Sequence, residues 1–116
     1  MDTETLRAYC LLLPATEEGV KFEDHLAFTL AEKIYCITGF GDNDPVSIKV
    51  SPEDFDALTE RDGIKQAAYF AKRQWVSVSQ RNLLRKKEWE EYLAKSYELV
   101  KSKLPKKVQK EIDELK

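Results

Sequence analysis

The pattern of apolar and polar positions divides the chain into helical and extended stretches. Leu6, Tyr9, Cys10 and Leu13 fall at i, i+3, i+4 and i+7, which predicts an N-terminal helix with one apolar face. Asp2 or Thr3 can cap it and Glu4 suits the positive end of its dipole. Pro14 ends it, because the residue before a proline avoids helical geometry. From about Val20 to Val50 the period changes to two. Large apolar residues alternate with small or polar ones through Leu26-Ala27-Phe28-Thr29-Leu30, and Lys33 to Thr38 is rich in β-branched and aromatic residues. Ala31-Glu32 between them is short enough for a hairpin. A turn cluster, Gly39 to Pro45, precedes Val46, Ile48 and Val50, which alternate with Ser47 and Lys49.

Ser51-Pro52-Glu53-Asp54 is the strongest local signal. Serine caps, proline takes the first helical position, and acids fill the first turn, with Asp54 at the capping-box position. This middle helix turns Phe55 and Leu58 inward and stops by Asp62-Gly63, where glycine allows a left-handed backbone. Ile64 to Phe70 and Trp75 to Ser79 read as extended. A long helix begins near Lys87, with Trp89, Leu93, Tyr97, Val100 and Leu104 on one face. Pro105 interrupts it, and Lys106 to Lys116 reads as a short terminal helix with Val108, Ile112 and Leu115 as its stripe. The order of elements predicts an α+β fold: an antiparallel sheet of about five strands in a meander, packed against N-terminal, middle and long C-terminal helices.

Composition narrows the class. At 116 residues, 42% hydrophobic and 34% charged, the chain suits one domain, 1–116, with a single core. No apolar run approaches the roughly 18 residues of a membrane span, so no membrane partner is expected. Met1-Asp2-Thr3-Glu4 is acidic where a secretory leader starts basic, so a cytoplasmic protein is expected. A monomer is expected as well. Cys10 and Cys36 lie in apolar surroundings and read as reduced, buried small hydrophobes.

Catalysis finds little support, and the chain is read as a non-enzyme without cofactor. His25, the sole histidine, supplies too few ligands for a metal and reads as a surface turn residue. The acidic stretches lack calcium-loop spacing. Gly39 and Gly41 precede no helix that would make a phosphate cradle. No catalytic or metal-binding residue is assigned.

Charge is distributed unevenly. Residues 1–62 hold five Lys/Arg against fourteen Asp/Glu, whereas residues 63–116 hold fourteen against seven. The stretch from Lys72 to Lys87 has six cations (Lys72, Arg73, Arg81, Arg85, Lys86, Lys87) and no acid. Amides and hydroxyls, the groups that meet phosphates and base edges, accompany them. A strand between two basic turns is the shape of a wing laid along a duplex. The same cations also suit a solvated surface that balances the acidic half.

Several segments in order resemble the MmcQ/YjbR-like family of small bacterial domains. They are Leu6-Arg7-Ala8-Tyr9-Cys10-Leu11-Leu12-Leu13-Pro14 with Thr16-Glu17-Glu18, then Phe28 with Lys33-Ile34-Tyr35, and then Ser47-Ile48-Lys49-Val50-Ser51-Pro52-Glu53. Ala67-Ala68-Tyr69 before Lys72-Arg73-Gln74-Trp75-Val76, and Ser96-Tyr97-Glu98-Leu99-Val100 before Leu104-Pro105-Lys106-Lys107, complete the set. The resemblance implies a double-wing arrangement, similar to secretion-chaperone folds, and the DNA binding proposed for the family by fold analogy. Gln66 and Ala68 stand where many relatives carry proline, which predicts a looser approach to the Trp75 strand. Arg73-Gln74 replaces a frequent Lys-His, so no role of that histidine carries over. Tyr97 is expected in the core with its hydroxyl on a partner.

Two functions are carried forward, with an enzyme a distant third that a substrate-sized pocket with convergent polar groups near His25, Tyr97 or Cys36 would favour. The first is a non-enzymatic module for double-stranded DNA, with Lys72, Arg73, Arg81, Arg85, Lys86 and Lys87 on phosphates and Gln74, Trp75 and Asn82 at groove or base. The alternative is a protein-interaction or chaperone-like adaptor that receives a partner strand or helix. Trp75 can face the core or the solvent. If Val76 and Val78 turn inward, its ring stands on the polar face among cations, and a partly buried ring is expected.

Overall fold

The computed structural model describes residues 1–115 and has the α+β architecture that the pattern predicts. In chain order the elements are α1 (Thr3–Leu11), β1 (Glu17–Lys21), β2 (His25–Leu30), β3 (Lys33–Gly39), β4 (Val46–Lys49), α2 (Pro52–Thr59), β5 (Ile64–Gln66), β6 (Trp75–Val78), α3 (Lys86–Lys101) and α4 (Lys106–Asp113). A single 3-10 turn, Arg81–Leu83, joins β6 to α3. The capping residues act as read. Asp2 Oδ1 accepts from the Thr5 amide at 2.8 Å, and Ser51 Oγ from the Asp54 amide at 3.2 Å. The six strands form one sheet in the order β1-β2-β3-β4-β6-β5, with antiparallel neighbours throughout.

Side-chain size differs sharply between the two faces of this sheet. On the helix side, one cross-strand row is Leu26, Thr38, Val46, Val78, Ile64 and the next is Phe28, Cys36, Ile48, Val76. These residues meet Leu6 and Cys10 of α1, Leu58 of α2 and Trp89, Leu93, Tyr97 and Val100 of α3 in the main core. On the other face the row is Gly19, Ala27, Ile37, Ser47, Ser77, Lys65. Small side chains there leave space above the sheet that no helix fills.

A bulge in β3 moves one aromatic ring from this open face to the core. Phe28 pairs with Cys36 and Thr29 with Ile34, so Tyr35 is the extra residue and turns into the main core. Its hydroxyl donates to the Cys10 carbonyl at 3.3 Å, and its ring meets Tyr97 edge-on at 5.8 Å. The Tyr97 hydroxyl donates to the Pro14 carbonyl at 2.8 Å, so Tyr97 is a core residue with its polar end satisfied, as expected. Both cysteines are buried, and burial together with the neighbouring Cys10 pushes the Cys36 thiol up.

The sequence reading needs three corrections. The sheet has six strands, because the polar segment Glu17–Lys21 pairs along β2 as an edge. The segment read as extended to Phe70 is a strand only through Gln66, and residues 67–74 form a loop. The last helix ends at Asp113 and leaves Leu115 65% exposed, so the stripe reduces to buried Ile112 and half-buried Val108; Lys116 lies outside the described residues.

Candidate binding face of the sheet

The exposed residues assigned to nucleic acid fall at the two ends of β6. Lys72, Arg73 and Gln74 are exposed in the turn before β6, whereas Arg85, Lys86 and Lys87 are exposed beyond its far end at the start of α3. β6 itself pairs with β4 on one side and β5 on the other, so it is an interior strand and no projecting wing. Helix α2, with Glu53, Asp54 and Asp56, packs against β5 and β6, and Arg73 is drawn to it by an ion pair with Asp56 at 3.0 Å. Asn82 is exposed beside the buried Arg81.

Arg81 is a correction. Only 5% exposed, it donates to the Asp44 carbonyl (3.2 Å), the Gly41 carbonyl (2.9 Å), Thr38 Oγ1 (3.0 Å) and Thr3 Oγ1 (3.0 Å). Its fork holds the N-terminus and the Gly39–Pro45 turn against the sheet and is not presented to a phosphate. Desolvation lowers its pKa, while the nearby Asp42 and Asp44 pull the other way. In a cation run the sequence gives no sign that one member is structural.

Trp75 resolves the choice of faces in an unforeseen way. Val76 and Val78 are fully buried on the helix side, so Trp75 is on the opposite face, yet it is only 6% exposed. The loop after β5 covers it: Phe70 stacks on the indole at 4.3 Å between ring centroids, and Ala67 and Ile37 complete a second, smaller core. Gln66 pins this loop. Its Nε2 donates to the Ala67 carbonyl at 2.8 Å and its Oε1 accepts from the Arg73 amide at 2.9 Å. The glutamine that replaces proline therefore ties the loop down by hydrogen bonds, contrary to the looser approach expected.

The same loop forms one wall of a pocket of about 870 Å³ on the helix-free face. Its floor is Ile37, Ser47 and Ser77, the middle of the small-residue row. Ala68, Tyr69 and Phe70 stand on one side and the β1–β2 turn, with Phe22, Asp24 and His25, on another. Phe22 is 70% exposed and Tyr69 fully exposed. Both have left-handed backbones, φ 54° and 69°, which bulky residues rarely adopt. Asp24 Oδ1 lies 2.6 Å from His25 Nδ1. Asp44 Oδ2 accepts from the Gly41 amide at 2.9 Å and would lie 2.1 Å from a Cβ on Gly39, so any side chain at Gly39 would displace this carboxylate. Sequence reasoning named His25 and Asp44 only as turn residues, gave Tyr69 only as part of a family segment and Phe70 as the end of an extended stretch, and passed over Phe22. No periodic pattern marks residues brought together from five separate segments. Among the described residues there is no group of three or more His, Cys, Asp or Glu placed to hold a metal.

A six-stranded antiparallel sheet with helices on one face and a pocket on the other defines an α+β domain with an open sheet face. The chain belongs to the YjbR family, whose model matches residues 11–99. Among solved structures it is similar to the Deinococcus radiodurans protein DR2400, described as a DUF419 domain. The two share 28% identity and a TM-score of 0.87 over 97% of this chain and 88% of that one. A Pseudomonas syringae protein shares the fold in a crystal structure, at 24% identity and TM-score 0.70, over 85% of this chain and 98% of that one. A solution structure from the same organism does so at 23% and 0.64, over 85% and 92%. No curated protein matches the chain significantly. No helix among the described residues is long and apolar enough to cross a membrane.

Proposed function

We propose that this domain is a non-catalytic protein-interaction module that receives an extended segment of a partner protein on the helix-free face of its sheet. The observation that carries this reading is the pocket over Ile37, Ser47 and Ser77 with two exposed aromatic rings, Phe22 and Tyr69, at its rim. Exposed aromatics beside a concave site are the usual anchors of protein recognition. Their left-handed backbones cost stability, and such placements cluster at binding sites. The three-strand floor spans about 10 Å, the scale of one or two side chains rather than of a duplex.

A selection of displayed random peptides on the immobilised domain tests the reading. Selected peptides are expected to lose about tenfold or more in affinity with Phe22→Ala or Tyr69→Ala, and to bind Lys86→Glu/Lys87→Glu unchanged. Equal binding to the aromatic variants, or no selectable peptide, overturns it.

DNA binding is the second reading. What favours it is that Lys72, Arg85, Lys86 and Lys87 are exposed and in no ion pair among the described residues. Four phosphate contacts would make log K fall by about 0.9 per contact against log salt. Saturable binding of a labelled duplex with that slope supports it, and no binding at low salt removes it.

A further inference from the structure

We propose that the pocket on the helix-free face accepts a basic side chain, a lysine or arginine of the partner's extended segment; this rests on the interaction reading above. Three observations converge. First, the acids of the lining are Asp24 and Asp44, its one basic group is the His25 imidazole already engaged by Asp24 at 2.6 Å, and no lysine or arginine is among them. Second, each carboxylate has an oxygen to spare. Asp24 uses Oδ1 toward His25 and Asp44 uses Oδ2 toward Gly41, and among the described residues neither Asp24 Oδ2 nor Asp44 Oδ1 is hydrogen-bonded. Third, the remaining walls present the rings of Phe22, Tyr69 and Phe70.

This combination selects against the other occupants. A phosphate or carboxylate would approach two like charges with no lysine or arginine in the lining to meet it, since the His25 imidazole is already held by Asp24. A purely apolar side chain would gain the aromatic contact but would strip water from two carboxylates without replacing their hydrogen bonds. A guanidinium or ammonium group satisfies both surfaces: its stem lies along the rings and Ile37, its charge attracts the ring faces, and its N–H groups reach the free carboxylate oxygens. Ser47 and Ser77 on the floor provide further acceptors. The pocket is thus a socket for one basic residue and leaves the neighbouring peptide positions to the rim.

The experiment is an NMR titration of the 15N-labelled chain with three capped tripeptides, acetyl-Gly-Xaa-Gly-amide, where Xaa is arginine, norleucine or glutamate. The arginine peptide is expected to shift the amides of His25, Thr38, Ser47 and Ser77 saturably and to bind about tenfold more tightly than the norleucine peptide. Asp24→Asn, at an exposed position, is expected to shrink that advantage, weakening arginine binding and, with one carboxylate fewer to desolvate, easing that of norleucine. Asp44→Asn, which keeps a carbonyl for the Gly41 amide, should act the same way. Norleucine binding as tight as arginine, or tighter glutamate binding, overturns the basic-residue assignment and leaves the open face as the receiving surface. No shift in the pocket amides with any peptide at millimolar concentration overturns both.

Discussion

Phe70 and Trp75 stack with their ring planes 27° apart, on the face of the sheet that carries no helix. The stack makes a second core from a loop and couples stability to the candidate site, because Phe70 is also a wall of the pocket. Trp75→Ala removes the indole beneath that wall. It is expected to cost about 3–5 kcal/mol in urea-induced unfolding and to weaken peptide binding together with stability. Unchanged unfolding with lost nucleic-acid affinity would instead make the ring a contact residue.

Arg81 and Thr38 are joined at 3.0 Å in a buried network that also ties down the Gly39–Pro45 turn. Arg81→Leu leaves several carbonyl and hydroxyl acceptors without a donor. The expected loss is about 3–5 kcal/mol by chemical denaturation. Arg81→Lys should recover only part of it, because one ammonium cannot reproduce a planar fork. Loss of duplex binding at full stability would return Arg81 to the surface role read from the sequence.

The Ala31-Glu32 hairpin has two residues with φ 48° and 69°, a turn for which asparagine and glycine are far better suited. Ala31→Asn with Glu32→Gly is expected to raise stability by about 1 kcal/mol, the relieved strain exceeding the entropy that glycine adds to the unfolded chain. Unfolding curves of the pair check the sign, and a loss of stability would contradict the turn geometry.

Much of the frame was legible because local chemistry determined it. Asp2, Ser51 and Pro52 announced two helices, and alternation in Leu26–Leu30 and Val46–Val50 marked strands that bury one face. Glu17–Lys21 was not separated as a strand, since an exposed edge with three charges needs no apolar alternation. Ala67 to Phe70 was apolar enough to pass for a strand, but the apolar side chains cover Trp75 from a loop. The pocket was illegible for a different reason. Its floor is defined by what is missing, the small Ser47 and Ser77, and its walls come from turns whose approach depends on the tertiary fold. Charge misled most where burial decides role: Arg73, Arg81 and Lys87 look alike in sequence, yet one is ion-paired, one is buried and one is exposed.

Glu88 joins α3 to the turn after α2. Its carboxylate accepts from Arg61 at 2.6 Å and from the Arg85 amide at 3.0 Å, and the Arg61 hydrogen bond, first among the causes, holds its pKa below the usual carboxylate range. A depressed carboxyl stabilises the fold above its unfolded pKa, about 4.3, and loses that contribution as pH falls through the folded value. Solvent screening of this partly exposed pair limits the effect to about 0.5 kcal/mol. Glu88→Gln is therefore expected to be less stable than the unaltered chain at pH 7 and to converge with it as pH falls through the depressed folded value. A difference that does not narrow as pH falls below the ordinary carboxylate range would contradict the electrostatic cause.

The central claim is that the helix-free face, and not the basic stretch, is the working surface. Its most direct test compares two titrations of the 15N-labelled chain at physiological salt, one with a peptide pool recovered by selection and one with a random-sequence duplex, read residue by residue. The account predicts saturable shifts with the peptides at His25, Ser47, Tyr69 and Ser77, and none with the duplex at Lys72, Arg85, Lys86 or Lys87. Saturable duplex shifts at those four cations, with the pocket amides silent toward the peptides, would contradict it.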